Sequence, residues 1–439
     1  MVNCNRYYPM MALVSVPRAA ASTGATAAPW YRQVTADQRK AFLAAYLGWL
    51  LDGFDFTILT FVLVDVQRSF TVNSALAGAL GTVALMFRVV GGISAGTAAD
   101  RWGRKIPLMG SILWYSLFAF LSGFSTSYAM LFVCRALFGI GMGGVWSAGM
   151  PLAIEHWPPH LRGVASGLLQ GGYPMGYILS ATVYQFGYPL VRDRPEGWRM
   201  LMWLGILPAL LAAWILVNVK ESPVWLERRR QLRASRVTER MSFARLFGRE
   251  LLGITLHTSL LMAALLFLYN SITYWYPTHL GQLQRQFLPF MVAFNSGAIA
   301  GAIACGRLSE TRLGRRGAAG LATLMGMAAT PLFLFAGSAP LLLAGAAAMG
   351  FFGTGNFGIA PGYLSERFPT AARAAGAGFA YQSGAALASF GPMLIGGLHD
   401  RGMPLGSAMA ACIIAAGALV LVLLWLGPET RGTTLEGRS

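Results

Sequence analysis

Apolar stretches of about twenty residues alternate with short polar segments along nearly the whole chain. A helix of about twenty residues is long enough to cross the roughly 30 Å of bilayer hydrocarbon. The pattern predicts about twelve such helices, which we number helix 1 to helix 12 in chain order. Their approximate ranges are 41–64, 75–98, 107–126, 128–153, 163–188, 199–218, 251–277, 287–306, 318–337, 341–363, 374–398 and 406–427. The predicted fold class is therefore an all-α polytopic membrane protein.

One long interruption divides these helices into two groups of six. It runs from Lys220 to Glu250 and contains eight arginines, at positions 228, 229, 230, 233, 236, 240, 245 and 249. A segment with this many charges is too costly to bury in lipid. We therefore predict a disordered N-terminal tail at 1–38, a six-helix half at 39–219, a basic central loop at 220–250, a second six-helix half at 251–427 and a C-terminal tail at 428–439.

The loops differ in basic residues, and this difference predicts the orientation. The loops after helices 2, 8 and 10 are basic, whereas those after helices 3 and 9 contain no Lys or Arg. Loops rich in Lys and Arg stay on the cytoplasmic side. The rule predicts that both termini and the central loop are cytoplasmic, with the mixed-charge loop after helix 5 as an exception.

The two halves share short motifs at a constant offset of 211 residues. Arg101, Gly103, Arg104 and Lys105 align with Arg312, Gly314, Arg315 and Arg316, and Glu155, Pro158, Arg162 and Gly167 align with Glu366, Pro369, Arg373 and Gly378. Matches at one spacing indicate an internal duplication with both copies in the same orientation. Parallel repeats of this kind hold their substrate between the halves, near the middle of the membrane.

The composition agrees with a membrane protein, with 55% hydrophobic and only 12% charged residues. The formal net charge is +17, but the basic residues are distributed among loops instead of forming one stripe, which argues against a nucleic-acid partner.

The four cysteines are scattered without CxxC or Cys/His spacing, so neither a disulfide nor a metal site is expected. The glycine-rich run Gly139 to Gly144 lies inside an apolar helix, where small residues serve helix packing and not nucleotide binding. We predict no enzyme and no cofactor.

Two carboxylates interrupt predicted helix 1. Asp52 and Asp55 lie near its middle and share one helical face at i, i+3. Two neighbouring carboxylates out of water cannot both ionise cheaply, so at least one of them is a candidate proton carrier. The alternative is that they only pair with an arginine and hold helices together.

Two arginines lie inside predicted helices 2 and 4. Arg88 is near the middle of helix 2, and Arg135 lies in the outer third of helix 4. A guanidinium at this depth must face protein or a water-filled cavity, and its planar fork suits a carboxylate. We predict that both contact an anionic substrate and that Arg135 takes part in proton coupling. The alternative is that each only neutralises an Asp.

Further polar side chains inside the helices are candidates for lining a substrate cavity. They are Gln170, Tyr173, Tyr177, Tyr269, Asn270, Asn295, Asn356, Tyr381 and Gln382. Each alone also fits an interhelical hydrogen bond. The run Tyr274, Trp275 and Tyr276 at the end of helix 7 is typical of an interfacial aromatic belt.

Charged residues at the predicted cytoplasmic ends of the helices form a candidate gate. Asp100 and Arg104 can pair next to Gly96, which would allow close helix approach, and Glu155 with Arg162 could complete the cluster. The predicted gating residues are Gly96, Asp100, Arg101, Gly103, Arg104, Glu155 and Arg162 in the first half and Arg312, Arg315, Glu366 and Arg373 in the second. These contacts would break and reform as the halves move.

Several motifs resemble the major facilitator superfamily. They are "GTAADRWGRK" after helix 2, "KESPVWLERR" after helix 6 and "PETRGTTLE" after helix 12. Within this superfamily, the chain resembles the sialate:proton symporter family of sialic acid and lactate-type permeases. The motifs that resemble it are "LGWLLDGFDF", "RALFGIGMGG", "IEHWPPHLRGVASG" and "RAAGAGFAYQSGA". The motif "GLLQGGYPMGYILSATVY" in helix 5 is closer to the monocarboxylate branch. The resemblance implies twelve or fourteen helices and proton-coupled uptake of an organic carboxylate across a bacterial-type inner membrane.

The chain departs from the family pattern at two places. Val145 occupies a position after "GMGG" where relatives commonly have an acid, so any coupling role of that acid must lie elsewhere. In the second half Thr311 occupies the position of Asp100, with Glu310 one residue earlier, which makes the equivalence of the two gates an open question.

We therefore expect a secondary transporter that imports a small monocarboxylate, such as lactate or pyruvate, or sialic acid, together with a proton. The expected partners are a small anionic solute, protons and the bilayer, with the proton gradient as the energy source and a monomer as the working unit. An aromatic-acid:proton symporter, which also has aspartates around "DGFD", is one alternative. A proton-driven efflux antiporter is another, because "GGYPMG" in helix 5 loosely resembles the antiporter signature.

Overall fold

The structure is a computed structural model that describes residues 32–157, 165, 168–194, 196–235, 246–369 and 372–431. Almost all of these residues are helical, and the described part of the chain contains no β-strand. The all-α fold class is confirmed. The predicted N-terminal tail is described only from residue 32 onward, and the C-terminal tail only up to residue 431.

The first half contains six membrane helices. They are helix 1 at Ala36–Phe61, helix 2 at Ser74–Trp102, helix 3 at Lys105–Ser122, helix 4 at Tyr128–His156, helix 5 at Gly172–Gly187, and helix 6 at Gly197–Trp203 and Pro208–Asn218. A short helix, Leu63–Phe70, follows helix 1. Helix 1 begins three residues inside the predicted tail, because Thr35 and Gln38 form a capping box at Ala36.

The second half repeats this arrangement. Its helices are helix 7 at Leu252–Thr273, helix 8 at Phe287–Leu308, helix 9 at Gly314–Phe335, helix 10 at Ala339–Ala348 and Ala360–Arg367, helix 11 at Arg373–Ala388 and Gly391–Asp400, and helix 12 at Leu405–Leu426. A short helix, Tyr276–Gln282, extends helix 7. Part of the predicted central loop, Pro223–Ser235, is helical as well.

Ten of the helical segments in the described ranges are long and apolar enough to span a membrane. The other two membrane helices are helix 5, described only in part, and helix 11, which is broken between Ala388 and Gly391. Helix 10 is also irregular, with a π-helical turn at Met349–Gly353. The chain is a multi-pass integral membrane protein.

Glycines let helices 2 and 4 approach closely. A Cβ at Gly91 would overlap the Ile140 carbonyl, and a Cβ at Gly143 would overlap the Arg88 carbonyl. The backbones therefore touch along this crossing. The prediction that the glycine-rich run of helix 4 serves helix packing is confirmed.

The bundle has two ends, which we name by the chain segments found there. The terminal face contains the start of helix 1, the end of helix 12 and the segment between the halves, and the opposite face contains the loop after helix 1. Helix 2 packs against helix 11, and helix 5 against helix 8, so these four helices join the halves. The interface between the halves contains the candidate site.

Candidate functional site

The acid pair of helix 1 is fully enclosed. Asp52 is 0% and Asp55 2% exposed, and none of their four carboxylate oxygens has a hydrogen-bond partner among the described residues. Helix 5 crosses closely here, because a Cβ at Gly176 would overlap the carbonyl of Leu50. An ionised carboxylate without partners in this setting would be very costly. The pair is therefore suited to taking up a proton or to meeting a mobile counter-charge.

Arg135 of helix 4 lies beside the acid pair without forming an ion pair. It is 0% exposed, and Nε, Nη1 and Nη2 all lack hydrogen-bond partners in the described part of the chain. Its guanidinium lies 4.2 Å from the ring centre of Phe138. Its charge acts on both Asp52 and Asp55, and the charge of Arg88 acts on Asp52 as well. The alternative in which a fixed ion pair ties Arg135 to an Asp is absent from this state.

Tyr115 of helix 3 belongs to this group, although it is not among the residues predicted from the sequence. Its ring is fully buried, its hydroxyl has no hydrogen-bond partner among the described residues, and the charges of both aspartates act on it. A tyrosine hydroxyl can donate a proton to a carboxylate or accept one. No local pattern distinguishes Tyr115 from the other aromatic residues of helix 3.

Arg88 of helix 2 occupies a different environment, between aromatic rings. It is 5% exposed, and its guanidinium lies 5.2 Å from the ring centre of Trp49 and 5.9 Å from that of Tyr381. Two of its nitrogens, Nε and Nη2, have no partner among the described residues. Arg88 thus combines free donors with flat apolar walls.

Aromatic side chains from both halves surround Arg88, and we call them the aromatic cluster: Trp49, Trp146, Tyr173, Tyr269 and Tyr381. Ring centres are 4.8 Å apart for Trp49 and Trp146, and 5.1 Å apart for Trp49 and Tyr173. Trp146 stacks on Tyr381 at 5.6 Å, and Tyr173 meets Tyr269 at 6.4 Å. These two contacts join the first half to the second. The cluster can hold a flat group beside a cation.

Neither tryptophan of the aromatic cluster is among the residues predicted from the sequence. Trp49 and Trp146 lie in the interior of helices 1 and 4, whereas membrane tryptophans concentrate at the interfaces. Their position far from either end of an apolar run is the sequence feature that could have marked them as candidate site residues. The predicted substrate residues Arg88, Tyr173, Tyr269 and Tyr381 do lie together at the boundary of the halves.

Three other predicted substrate residues are used within the second half. The Asn270 amide faces the Ala388 carbonyl at 3.4 Å, and the Asn295 amide donates to the Met291 carbonyl of its own helix at 2.8 Å. Asn356 donates to the Thr323 hydroxyl at 2.9 Å. In this state Asn270 and Asn356 contact a neighbouring helix, which is the interhelical alternative named for them, whereas Asn295 bonds only to its own helix.

Two of the remaining predicted substrate residues, Tyr177 and Gln382, contact the other half. The Tyr177 hydroxyl donates to the Thr273 carbonyl at 2.8 Å. The Gln382 amide nitrogen faces the Ser147 hydroxyl at 3.5 Å, while its carbonyl oxygen is buried without a partner in the described residues. Gln170 is half-buried. Tyr177 therefore belongs to the closure of the halves and not to the aromatic cluster.

The predicted charged cluster forms at the terminal face of the first half. Arg104 contacts Asp100 at 2.9 Å and Glu155 at 3.1 Å. Glu221, just after helix 6, accepts hydrogen bonds from the backbone N–H groups of Arg104 and Lys105. These contacts hold together the start of helix 3, the end of helix 4 and the segment after helix 6.

The second half repeats this cluster. Arg315 contacts Glu366 at 2.8 Å and Glu310 at 2.7 Å. Glu429, just after helix 12, accepts from the backbone N–H groups of Arg315 and Arg316 at 2.9 and 3.0 Å. Glu310 thus takes the place of Asp100 although it lies one position earlier. The two charged clusters are therefore equivalent, although Thr311 occupies the position that corresponds to Asp100.

Glu221 and Glu429 are not among the gating residues predicted from the sequence. They occupy matching positions, because each follows the last helix of its half. Each faces a glycine with positive φ, Gly103 at 101° and Gly314 at 70°, where a Cβ would overlap the carboxylate. Burial raises the pKa of Glu429, but hydrogen bonds from the backbone N–H groups of residues 431, 315, 316 and 430 outweigh it and hold the pKa below its usual value. Glu429 therefore stays ionised at neutral pH.

Some predicted gating residues do not enter these clusters. Gly96 has room for a Cβ, which would meet only the Cβ of Ser147 at 3.8 Å, so the expected close approach occurs at Gly91 and not there. Arg101 lies over the ring of Trp102 at 5.8 Å, and Arg312 is exposed. Arg162 lies outside the described residues, as does the side chain of Arg373.

At the opposite face the halves touch directly. Asp400, at the end of helix 11, accepts hydrogen bonds from the backbone N–H groups of Ser74 and Ala75 at 2.9 and 2.7 Å. These N–H groups open helix 2 and have no partner within that helix. The Tyr274 hydroxyl donates to the Ala77 carbonyl at 3.1 Å. The structure is closed toward the opposite face.

The expectation of an interfacial belt at Tyr274, Trp275 and Tyr276 is wrong. All three rings are at most 3% exposed. Tyr274 joins the closure of the halves, and the Trp275 indole donates to the Pro392 carbonyl at 2.8 Å. Aromatic residues at a helix end take an interfacial place only where no neighbouring helix covers them.

Asp400→Asn should weaken the closed state. An uncharged amide stabilises the N-terminus of helix 2 less than a carboxylate does, so the opposite face should open more often. In a protein whose native cysteines are replaced by serine, Ala77→Cys reports this opening through labelling by a membrane-impermeant maleimide. We expect labelling several-fold faster with Asp400→Asn. Asp193→Asn, an exposed acid of the same face, should leave the rate unchanged; equal rates for both variants would contradict a closing role for Asp400.

Comparisons with known proteins agree with this architecture. The sequence profile described as Major Facilitator Superfamily matches residues 45–319. Relatives include the probable 4-methylmuconolactone transporter of Cupriavidus pinatubonensis, 34% identical over 93% of this chain and 94% of that protein. The sialic acid transporter NanX of Escherichia coli is 30% identical over 91% of this chain and 96% of that protein. The cis,cis-muconate transport protein of Acinetobacter baylyi is 31% identical over 82% of this chain and 88% of that protein. Among solved structures, the inward-open xylose transporter XylE from E. coli superposes with a TM-score of 0.73 at 21% identity, covering 91% of this chain and 98% of that one.

Proposed function

The chain belongs to the major facilitator superfamily, and from this premise we propose that it imports, together with a proton, an organic carboxylate that contains a planar conjugated group. It is a membrane transporter and not an enzyme. The observation that supports the substrate class is the position of Arg88 among the rings of the aromatic cluster.

The aromatic cluster favours a conjugated acid over a small aliphatic one. A carboxylate would meet the free donors of Arg88, while an adjoining flat group could stack on Trp49, Trp146 or a tyrosine ring. Muconate and methylmuconolactone, for which two relatives are named, each join a carboxylate to a conjugated planar group. Lactate has no such group. Sialic acid, for which NanX is named, would need more hydrogen-bonding side chains than rings.

The acid pair and Arg135 supply the proposed coupling. A proton that neutralises Asp52 or Asp55 reduces the attraction on Arg135 and Arg88, which frees a guanidinium to hold the substrate carboxylate. The loaded carrier then buries less net charge than a carrier with substrate alone or proton alone. This difference lowers the barrier for joint movement, which is the requirement of symport.

The remaining parts of the proposal concern orientation and energy source. The terminal face is cytoplasmic, because the basic loops lie there. Transport proceeds by alternating access in an inner membrane, with the proton gradient as energy source, no cofactor and a monomer as the working unit. The charged clusters of Arg104 and Arg315 act as the cytoplasmic gate.

Uptake into energised membrane vesicles tests the proposal. The panel contains radiolabelled cis,cis-muconate, 4-hydroxybenzoate, lactate and sialic acid, each offered at a mildly acidic and a neutral external pH. We expect a conjugated acid to accumulate, faster at acidic pH, and a protonophore to abolish its accumulation. Vesicles without the protein are the control. Accumulation of lactate or sialic acid alone would contradict the substrate class, uptake insensitive to pH and protonophore would contradict the coupling, and net extrusion would favour efflux.

A further inference from the structure

The helix that follows helix 6 differs in charge from the membrane helices. It spans Pro223–Ser235 and contains four arginines but only one acid, Glu227. We call it the basic helix. The proposed transport does not use its charges, and the charged cluster of Arg104 does not include them.

Trp225 anchors the basic helix to the first half. Its side chain is 7% exposed, and its indole N–H donates to the Asp100 carbonyl, at the end of helix 2, at 2.9 Å. The Ser222 hydroxyl accepts from the backbone N–H of Trp225 at 3.1 Å and so caps the start of the helix. The basic helix therefore has a defined place on the terminal face.

The start of the basic helix lies close to lipid. Helix 6 ends at Asn218, and its last turn is open to the surroundings of the bundle, with Leu216 59% and Val217 82% exposed. Pro223 comes five residues after Asn218, a span of at most about 18 Å. Because Trp225 also contacts the end of helix 2, the basic helix starts beside two helix ends, at the depth of the lipid head groups.

One side of the basic helix combines an apolar residue with cations. Leu226, Arg229 and Arg230 are spaced i, i+3 and i+4, and position 233, also an arginine in the sequence, continues the register. Leu226 is 42% exposed, and the side chains of Arg229 and Arg230 are exposed as well. We call Leu226, Arg229 and Arg230 the arginine surface.

The arginine surface keeps a net positive charge. The Arg229 guanidinium lies 4.8 Å from the ring centre of Trp225, so the anchor of the helix also holds this arginine. Arg230 lies 3.9 Å from Glu227, a long contact between two exposed side chains. An exposed ion pair of this kind is weak. Both guanidinium groups can therefore meet an anion from outside the protein.

We propose that the arginine surface binds the head groups of anionic phospholipids in the leaflet at the terminal face. The lipid phosphates contact Arg229 and Arg230, and Leu226 lies among the uppermost acyl carbons, as on other basic helices in the membrane interface. Each arginine near an anionic leaflet should enrich anionic lipid by about fivefold. A lipid is favoured over an acidic protein because the basic helix starts where helix 6 leaves the membrane.

Quenching of a fluorophore on the basic helix tests the proposal. The full-length protein, with serine in place of its native cysteines, receives a dansyl group through Pro223→Cys and is reconstituted into phosphatidylcholine vesicles. Pro223 is exposed and lies one turn before Leu226. The probe is phosphatidylglycerol or phosphatidylcholine, each with a nitroxide at the same acyl carbon. Half-maximal quenching should need about tenfold less phosphatidylglycerol than phosphatidylcholine, and about 1 M salt should reduce this preference.

Arg229→Gln combined with Arg230→Gln should bring the two half-maximal concentrations to within about twofold of each other, because the attraction depends on these charges. Arg229→Lys with Arg230→Lys keeps both charges and should retain the preference, which also shows that the helix still folds. Arg307→Gln with Arg312→Gln is the matched control, since it removes two exposed arginines from the terminal face of the second half.

The control pair should quench like the wild type. The proposal is overturned if both probe lipids quench the wild-type protein equally, or if the control pair loses the preference as fully as the pair on the arginine surface. Fluorescence is measured without substrate, so failure of the proposed transport would leave this test unaffected.

Discussion

Asp52→Asn or Asp55→Asn should abolish uphill accumulation of substrate while exchange of labelled for unlabelled substrate remains measurable. Both carboxylates are enclosed and without hydrogen-bond partners among the described residues. An asparagine resembles the protonated acid in shape and charge but cannot release a proton. The substrate can then still cross, but its movement no longer depends on the proton gradient. We expect accumulation to fall to the passive level for at least one variant, the largest effect of any substitution considered.

The measurement pairs accumulation in energised vesicles with counterflow in vesicles without a gradient. Asp65→Asn is the control, because Asp65 follows helix 1 outside the acid pair. If both Asp52→Asn and Asp55→Asn accumulate substrate like the wild type, the coupling assignment is wrong. If only one variant loses accumulation, that residue is the proton carrier and the other sets its environment.

Arg88→Lys should raise the substrate concentration for half-maximal transport by about tenfold to a hundredfold, the range expected for losing a bidentate contact. Lysine keeps the charge but lacks the planar fork, and it cannot lie flat between Trp49 and Tyr381 as the guanidinium does. The effect should be larger for a conjugated acid than for an aliphatic one, because the lysine also disturbs the stacking walls.

Arg135→Lys provides the comparison within the same site. Arg135 lies against Phe138 and near the acid pair, so its substitution should reduce accumulation more than substrate affinity. Arg68→Lys, at an exposed arginine of the short helix after helix 1, is the control. Unchanged half-maximal concentration with Arg88→Lys would reduce Arg88 to a packing role, and an equal loss of affinity with both lysine variants would place both arginines on the substrate.

The pattern of the chain predicted the membrane helices because hydrocarbon imposes a simple rule on it. A spanning helix must satisfy its own backbone and present about twenty apolar residues. The duplication was visible for a similar reason, since Arg104 and Arg315 must recur at the same place in each half to meet Glu155 and Glu366. The exceptions were local: helix 1 began early at its capping box, and helix 11 broke near Gly391.

Candidate site residues that are costly to bury could also be chosen from the sequence. Buried charges such as Asp52, Arg88 and Arg135 are expensive in a membrane and therefore point to function before any coordinates exist. Amides were not predictable, because Asn356 finds a hydroxyl in its own half while Gln382 faces the other half. Both choices depend on which helix lies beside each amide.

The sequence by itself determined that this protein crosses a membrane and consists of two related halves. It also determined that the membrane helices contain charged side chains, namely the acid pair and two arginines. Only the tertiary structure decided which aromatic rings meet around Arg88, that Arg135 lies beside the aspartates without an ion pair, and that Glu221 and Glu429 complete matching clusters. The reason is physical. Burial of apolar length is a property of each segment alone, whereas contacts between rings, carboxylates and guanidinium groups depend on how distant helices cross.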